Sequence, residues 1–425
     1  MVSGFSRRIT AEVSGGIRMS DKKKTFIGGV LLGVAAAFLV LCGGYYLYYG
    51  VFPFSDSAIS GKTGRKAVTI QRLMEEKYLD GVDEDLMAEG MYAGMVASLE
   101  DPYSGYYSPE QYQDLMESTE GKYQGIGLSM MKDTETGEVT VQEVYQDSPA
   151  QEAGIQAGDQ LLELNGETIA DMELDQLASL LQNGEEATLT LLREGSEEPV
   201  TVTVQAAEVE MTVVTGRMLE NQIGYIRISR FTDGTPEQFE TLYQSFQEQG
   251  MSGLIIDLRD NPGGLLDAVC STLEQILPEG LIVYTEDKDG NRVEHTGEGN
   301  TPIQIPLTVL INENSASAAE IFAGAVKDYQ VGTLVGTTTF GKGIVQETYA
   351  LEDGSAVKLT IAKYYTPSGI NIHGTGITPD VEVEWTEDQE PLESDFDFSD
   401  LSQEEWLSRD PQMKKAVETV EAAML

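Results

Sequence analysis

The sequence predicts a mixed α/β protein (α+β overall): an N-terminal transmembrane helix, a helical segment, a small β-rich unit, a layered α/β core and a C-terminal helical tail. Three observations predict it. Residues 26–51 form one uncharged apolar run. Residues 121–205 carry short segments that alternate apolar and polar side chains, the period of half-buried strands. Residues 208–385 alternate short apolar runs with helical patterns, which points to strands covered by helices.

The run FIGGVLLGVAAAFLVLCGGYYLYYGV is long enough to span a bilayer of about 30 Å. Lys22, Lys23 and Lys24 precede it, and Tyr45, Tyr46, Tyr48 and Tyr49 close it as an interfacial belt would. Positive charge before the run places the N-terminus (residues 1–25) in the cytoplasm and everything after it outside. A cleaved signal peptide is the competing reading; the length of the run and the lack of an A-x-A-like site favour an anchor. Met19 is a second candidate start.

Bulk composition excludes several functions. The 425 residues suit two or three domains. Acidic residues number 71 against 27 basic ones, a formal charge of -44, which repels nucleic acid and anionic lipid. Two cysteines, Cys42 and Cys270, fall in different compartments of this scheme, so a disulfide between them is not expected. With two histidines, His295 and His373, and no CxxC, neither a metal site nor a cofactor is expected.

Residues 52–118 read as a linker followed by helix. Residues 54–65 are linker-like, and apolar residues recur at helical steps from Ala67 to about Leu99. Asp101-Pro102-Tyr103-Ser104 is a turn, and Ser108 suits the N-cap of a helix from Pro109 to Thr119. The β-rich unit, 119–207, opens on GKYQGIGLSM and continues with the strand EVTVQEVYQ. A helix near Leu174–Gln182 and a hairpin of ATLTLLREG with PVTVTVQ follow.

In the core, 208–385, strands are predicted at IGYIRIS, GLIIDLR, LTVLIN and GTLVGTT, and helices at Thr235–Gln249, Leu265–Leu277 and Ala316–Tyr329. DKDGNRVEH reads as a hairpin that carries His295 at the surface. Residues 386–425 form an acidic linker and a helix from Gln403 to Leu425.

Three distant segments carry candidate chemistry. DLRDNPGGLLDA turns on Pro262-Gly263-Gly264, where backbone N–H groups at a helix start can face an anion. NENSASAAEIFAGAVKD delivers Ser317 to the start of a helix, with the Ala318 N–H beside it. TTTFGKGIVQE sets Lys342 between two glycines after an apolar strand, where burial would lower its pKa enough for a base. Gln346 lies four residues on and can hold the lysine. The P-loop pattern is absent because Gly343 follows the lysine. Read singly, each segment is better served by a plain role: a glycine turn, a serine helix cap at Ser315 or Ser317, a surface lysine.

Two resemblances join these readings. SPAQEAGIQAGDQLLELNG and the strands around it resemble a bacterial PDZ domain. The PGG turn, S-A-S-A-A-E, F-G-K-G-x-V-Q and LTIAKYYTPSGINIHGTGITPD resemble the carboxyl-terminal processing (tail-specific) proteases of the S41 serine peptidase family over about residues 65–385. The resemblance implies a serine endopeptidase with Ser317 as nucleophile, Lys342 as general base and Gln346 positioning the lysine. It implies an oxyanion hole from the Gly263 and Ala318 N–H groups, and an accessory role for Asp328. The spacing of 25 residues to the lysine selects Ser317 over Ser315. His373 stands where the family has another residue and is given no catalytic role. The PDZ loop Gly125-Ile126-Gly127-Leu128 matches the carboxylate-binding position, so the partners are protein substrates held by their C-terminal tails. Homodimerisation through the N-terminal helices and the tail is also implied. A non-catalytic PDZ receptor would lack nucleophile or base, and a crotonase-like acyl-transferring enzyme would need neither at this spacing.

Overall fold

The computed structural model describes residues 21–49, 61–385 and 402–425, apart from 134–135, 146, 171, 183, 185, 194 and 197. Residues 1–20 with Met19, most of the 54–65 linker and the acidic stretch 386–401 lie outside it. The apolar run falls on a helix, Asp21–Tyr49. The side chains of the four tyrosines lie outside the described residues, and among the described residues no helix is long and apolar enough to cross a membrane.

The helical pattern expected from Ala67 to Leu99 is broken into two helices, Lys62–Lys77 and Glu84–Ala97. Gly81 adopts a φ of 82° between them. Asp83 then restarts the helix, its carboxylate accepting from the Asp85 and Leu86 N–H groups. Periodicity alone does not reveal such a break, because the apolar steps resume in phase. The next helix, Pro109–Glu120, matches expectation; Ser108 and Gln111 form its capping box.

The small unit is a sheet of Leu128–Lys132, Val139–Val144, Gln160–Leu164, Glu186–Leu192 and Val200–Gln205 in that order, with Glu167–Thr168 beside the third. The Leu174–Gln182 helix closes its core, which holds Ile126, Leu161, Leu177, Leu181 and Leu189. A two-stranded ribbon, Lys122–Gly125 with Ala207–Glu210, joins entry and exit of this unit.

The core is built on a six-stranded sheet: Val214–Met218, Ile223–Ile228, Gly253–Asp257, Leu307–Ile311, Thr333–Gly336 and Val381–Glu382. The first pair is antiparallel and the rest are parallel. Gly253–Asp257 and Leu307–Ile311 are buried along their whole length, as central parallel strands covered on both faces must be. Leu254 and Ile256 face the helices Thr235–Glu248, Leu266–Glu274 and Ala318–Tyr329 through Phe239, Leu273 and Phe322. Ile255 faces the opposite side, against Trp406, Met413, Val417 and Val420. The C-terminal stretch thus supplies the second covering layer. It is two helices, Gln403–Arg409 and Pro411–Met424, broken at Asp410-Pro411, where one helix from Gln403 to Leu425 was expected.

A second sheet, Gly105–Tyr107, Ala356–Tyr365, Gly280–Asp287 and Arg292–Gly297, carries Ile344–Ala350 on its second strand. His295 lies half-buried on this hairpin.

Candidate active site

Three neighbouring parallel strands explain why the three distant segments meet. The glycine turn follows Gly253–Asp257, the serine loop follows Leu307–Ile311 and the lysine loop follows Thr333–Gly336. All three therefore leave the sheet at its carboxyl edge, where sites of open α/β sheets form.

Ser317 precedes the helix Ala318–Tyr329 with φ 53° and ψ -113°. A non-glycine residue in that region costs about 1–3 kcal/mol, and such strain collects at functional sites. Ser317 is the N-cap of that helix and pairs with Glu320 as in a capping box, while the Glu320 N–H also donates to the Ser317 carbonyl at 2.9 Å. Ser315 differs in every respect. It is fully buried, accepts from the Asn312 N–H (2.9 Å) and donates to the Leu258 carbonyl (2.8 Å). Ser315 holds the loop and Ser317 is left half-exposed.

Gly263 lies directly beneath Ser317. Its φ is 104°, and a Cβ there would come 2.7 Å from Ser317 Cβ and 2.9 Å from Ala318 N. No side chain fits, so the turn is glycine for close approach as well as for its dihedral. Ala318, first in its helix, has no intrahelical acceptor for its N–H. The Gly263 N–H is occupied: it donates to Asn261 Oδ1 at 2.8 Å, an Asx turn that the NPG sequence favours. Asn261 is fully buried, donates to the Ile228 carbonyl (2.8 Å) and accepts the Ala316 N–H on its own carbonyl (2.9 Å).

Lys342 is half-buried. Burial and the nearby Lys358 ammonium push its pKa below the ordinary lysine value, while Glu320 and Asp101 pull the other way. Its ammonium lies over the Tyr103 ring, 5.0 Å from the centroid. Among the described residues no hydrogen bond joins it to Ser317 or to Gln346. Gln346 instead donates to Thr360 Oγ1 (3.4 Å), its ladder partner on the neighbouring strand. Asp328 accepts from the Ser368 N–H (2.9 Å) and so pins the 366–369 turn. His373 is exposed, its ring 6.4 Å from that of Tyr103.

Glu320 is the residue that ties the site together. It is fully buried on the first turn of the serine helix. Its Oε2 accepts from the Ser317 N–H (2.9 Å) and the Lys342 N–H (2.8 Å). Its Oε1 accepts from the Gly341 N–H (2.7 Å) and Thr339 Oγ1 (2.6 Å). One carboxylate thereby fastens the Ser317 loop to the Lys342 loop. Burial raises its pKa, and the four donors oppose that. Sequence reading passed over Glu320, although its place three residues after Ser317 is the capping-box position. It also took Tyr103 as a plain turn residue, and no local signal marks it otherwise.

In the small unit, Gly125 ends one strand, Leu128 begins the next, and Ile126 is buried between them. Gly127 has φ 82° and lies against the Ser148 side chain. The loop carbonyls are both taken, Ile126 by the Ala150 N–H and Gly127 by the Tyr145 N–H.

Comparison with known proteins identifies the family. Residues 222–383 match the model of peptidase family S41, 140–193 that of the PDZ domain, and 55–111 that of the activating protease CtpB N-terminal domain. A carboxyl-terminal-processing protease of Synechocystis sp. is 37% identical over 296 residues, covering 68% of this chain and 69% of that protein. The carboxy-terminal processing protease CtpA of Bacillus subtilis is 33% identical, covering 73% of this chain and 67% of that protein. A solved structure, the photosystem II D1 C-terminal processing protease, is 28% identical with a TM-score of 0.45, covering 76% of this chain and 87% of that one. With its peptidase segment, its PDZ domain and these relatives, the chain belongs to the S41 peptidases, among the carboxyl-terminal processing serine proteases.

Proposed function

We propose that the protein is a membrane-anchored serine endopeptidase that cleaves extracytoplasmic proteins near their C-termini with a Ser317–Lys342 dyad. The Glu320 carboxylate carries this reading, because it binds the backbone of both residues at once. Lys342, made less basic by burial, takes the Ser317 proton as the hydroxyl attacks the scissile carbonyl. The Ala318 N–H receives the oxyanion. The Gly263 N–H joins it by exchanging Asn261 Oδ1 for the developing negative charge, the stronger acceptor. Gln346 and Asp328 serve at the margins, Gln346 by turning from Thr360 to the lysine and Asp328 by holding the 366–369 turn.

The PDZ loop Gly125–Leu128 holds the substrate's terminal carboxylate, and the peptide adds along Leu128–Lys132 as a strand. The uncharged run 26–51, with lysines before it, supports an anchor whose catalytic part faces outside. Exposed apolar side chains on the first two helices after it, Leu73 and Leu86 among them, support a homodimer contact there.

The test is cleavage of an unstructured protein. Ser317→Ala and Lys342→Ala are each expected to lose cleavage by about a thousandfold or more while keeping the wild-type thermal midpoint. Cleavage retained by either variant removes that residue from the mechanism.

A further inference from the structure

The base loop has a neighbour from outside the peptidase segment. Tyr103 belongs to the turn that precedes Gly105–Tyr107, within the residues matched by the separate N-terminal model. That turn is closely held. Asp101 accepts from the Tyr103 N–H (3.1 Å) and from Ser104 Oγ (2.6 Å). Ser104 Oγ in turn accepts the Thr360 N–H (3.0 Å), and Gly105 to Tyr107 continue as a strand opposite Lys358 to Ala356. The turn that bears the ring is therefore held to the strand that also flanks Gln346, and the Lys342 ammonium lies over the ring face.

We propose that Tyr103 is a positioning residue for Lys342: its ring holds the ammonium by a cation–π contact and so sets the pH at which the lysine becomes a base. The proposal rests on Lys342 acting as the base. A cation over an aromatic face is favoured only while it is charged. The ring thus opposes loss of the proton, and a lysine parked on it must leave the ring, neutral, to reach Ser317. The charged and titratable groups around the ammonium come from three further places. Glu320 on the serine helix and Asp101 on the Tyr103 turn favour the charged form, and Lys358 on the Ala356–Tyr365 strand disfavours it. His373 meets the ring edge-on from the loop before residue 376. Of these neighbours, Tyr103 alone can be altered without changing a formal charge.

The experiment is the pH profile of kcat/KM on an unstructured protein for the wild type, Tyr103→Phe and Tyr103→Leu. The sign follows from the contact. Removing the ring destabilises the ammonium, so the acid limb of Tyr103→Leu moves to lower pH, by about half a unit or more. Tyr103→Phe keeps a ring face and keeps the wild-type limb. A limb in Tyr103→Leu that stays in place or moves to higher pH overturns the proposal. If Tyr103→Leu does not fold, Tyr103→Met fills similar space without a ring and carries the same expectation. Lys342→Ala, run alongside, separates the two ideas. An inactive Lys342→Ala with an unmoved Tyr103→Leu limb removes Tyr103 alone, whereas an active Lys342→Ala removes the base and this role with it.

Discussion

Glu320 shows how much one buried side chain can organise. A carboxylate only accepts, and all four of its partners only need to donate, so charge and geometry agree without a further neighbour. A glutamine would turn an NH2 group toward one pair of these donors. Glu320→Gln is therefore expected to lower stability by about 2–3 kcal/mol and to cut kcat by at least about tenfold, read by denaturant unfolding and by peptide hydrolysis. Wild-type kcat at unchanged stability would show that the two loops hold their places without it. Ser315 and Ser317 make the complementary point. Two serines in one short motif look interchangeable on paper, yet the left-handed turn at Ser317 exposes one hydroxyl while the Leu258 carbonyl and the Asn312 N–H consume the other.

Among the elements, the C-terminal helices reach the strand end that leads into the glycine turn. Asp410 caps the last helix by accepting the Met413 N–H (2.9 Å), and it also meets Arg259 (2.8 Å). Arg259 forks onto Asp257 (2.6 Å), which accepts the Tyr225 hydroxyl (2.9 Å). All of this is buried. Burial alone would raise the Asp257 carboxyl, but the Arg259 guanidinium outweighs it and holds the group below its usual range. The last helix is thus bolted to the start of the glycine turn. Asp410→Asn preserves the cap and removes the charge. It is expected to cost about 2–3 kcal/mol, because a buried guanidinium loses one of its two carboxylates. Glu418→Gln, which breaks the exposed Lys415 pair, should unfold with the wild type. Equal midpoints for the two variants in urea would refute the brace.

Across the whole molecule, Ser317 and the Gly125–Leu128 loop belong to different sheets, linked through the Lys122–Gly125 and Ala207–Glu210 ribbon. In the proposed mechanism a substrate held at both places gains from the two contacts together. Amidation of a peptide substrate's C-terminus, which removes the carboxylate and leaves the scissile bond intact, is expected to lower kcat/KM by about tenfold or more. Equal rates for acid and amide would refute tail capture by Gly125–Leu128.

Sequence alone determined the local pieces of this protein. Periods of two and 3.6 located the strands and most helices, since each depends on which side chains one element turns inward, and the glycine, serine and lysine motifs together carried the resemblance to the S41 peptidases. Periodicity alone ran past the breaks at Gly81 and Asp410, because a helix can break without losing apolar phase, although Pro411 is itself a stop signal. Tertiary structure decided the rest: that Gly263 spends its N–H on Asn261, that Glu320 fastens Ser317 to Lys342, and that the lysine rests on Tyr103. Those contacts join residues carried on different strands and loops. They exist only once the parallel strands align their carboxyl edges and the Gly105–Tyr107 strand docks beside them, which no local pattern encodes.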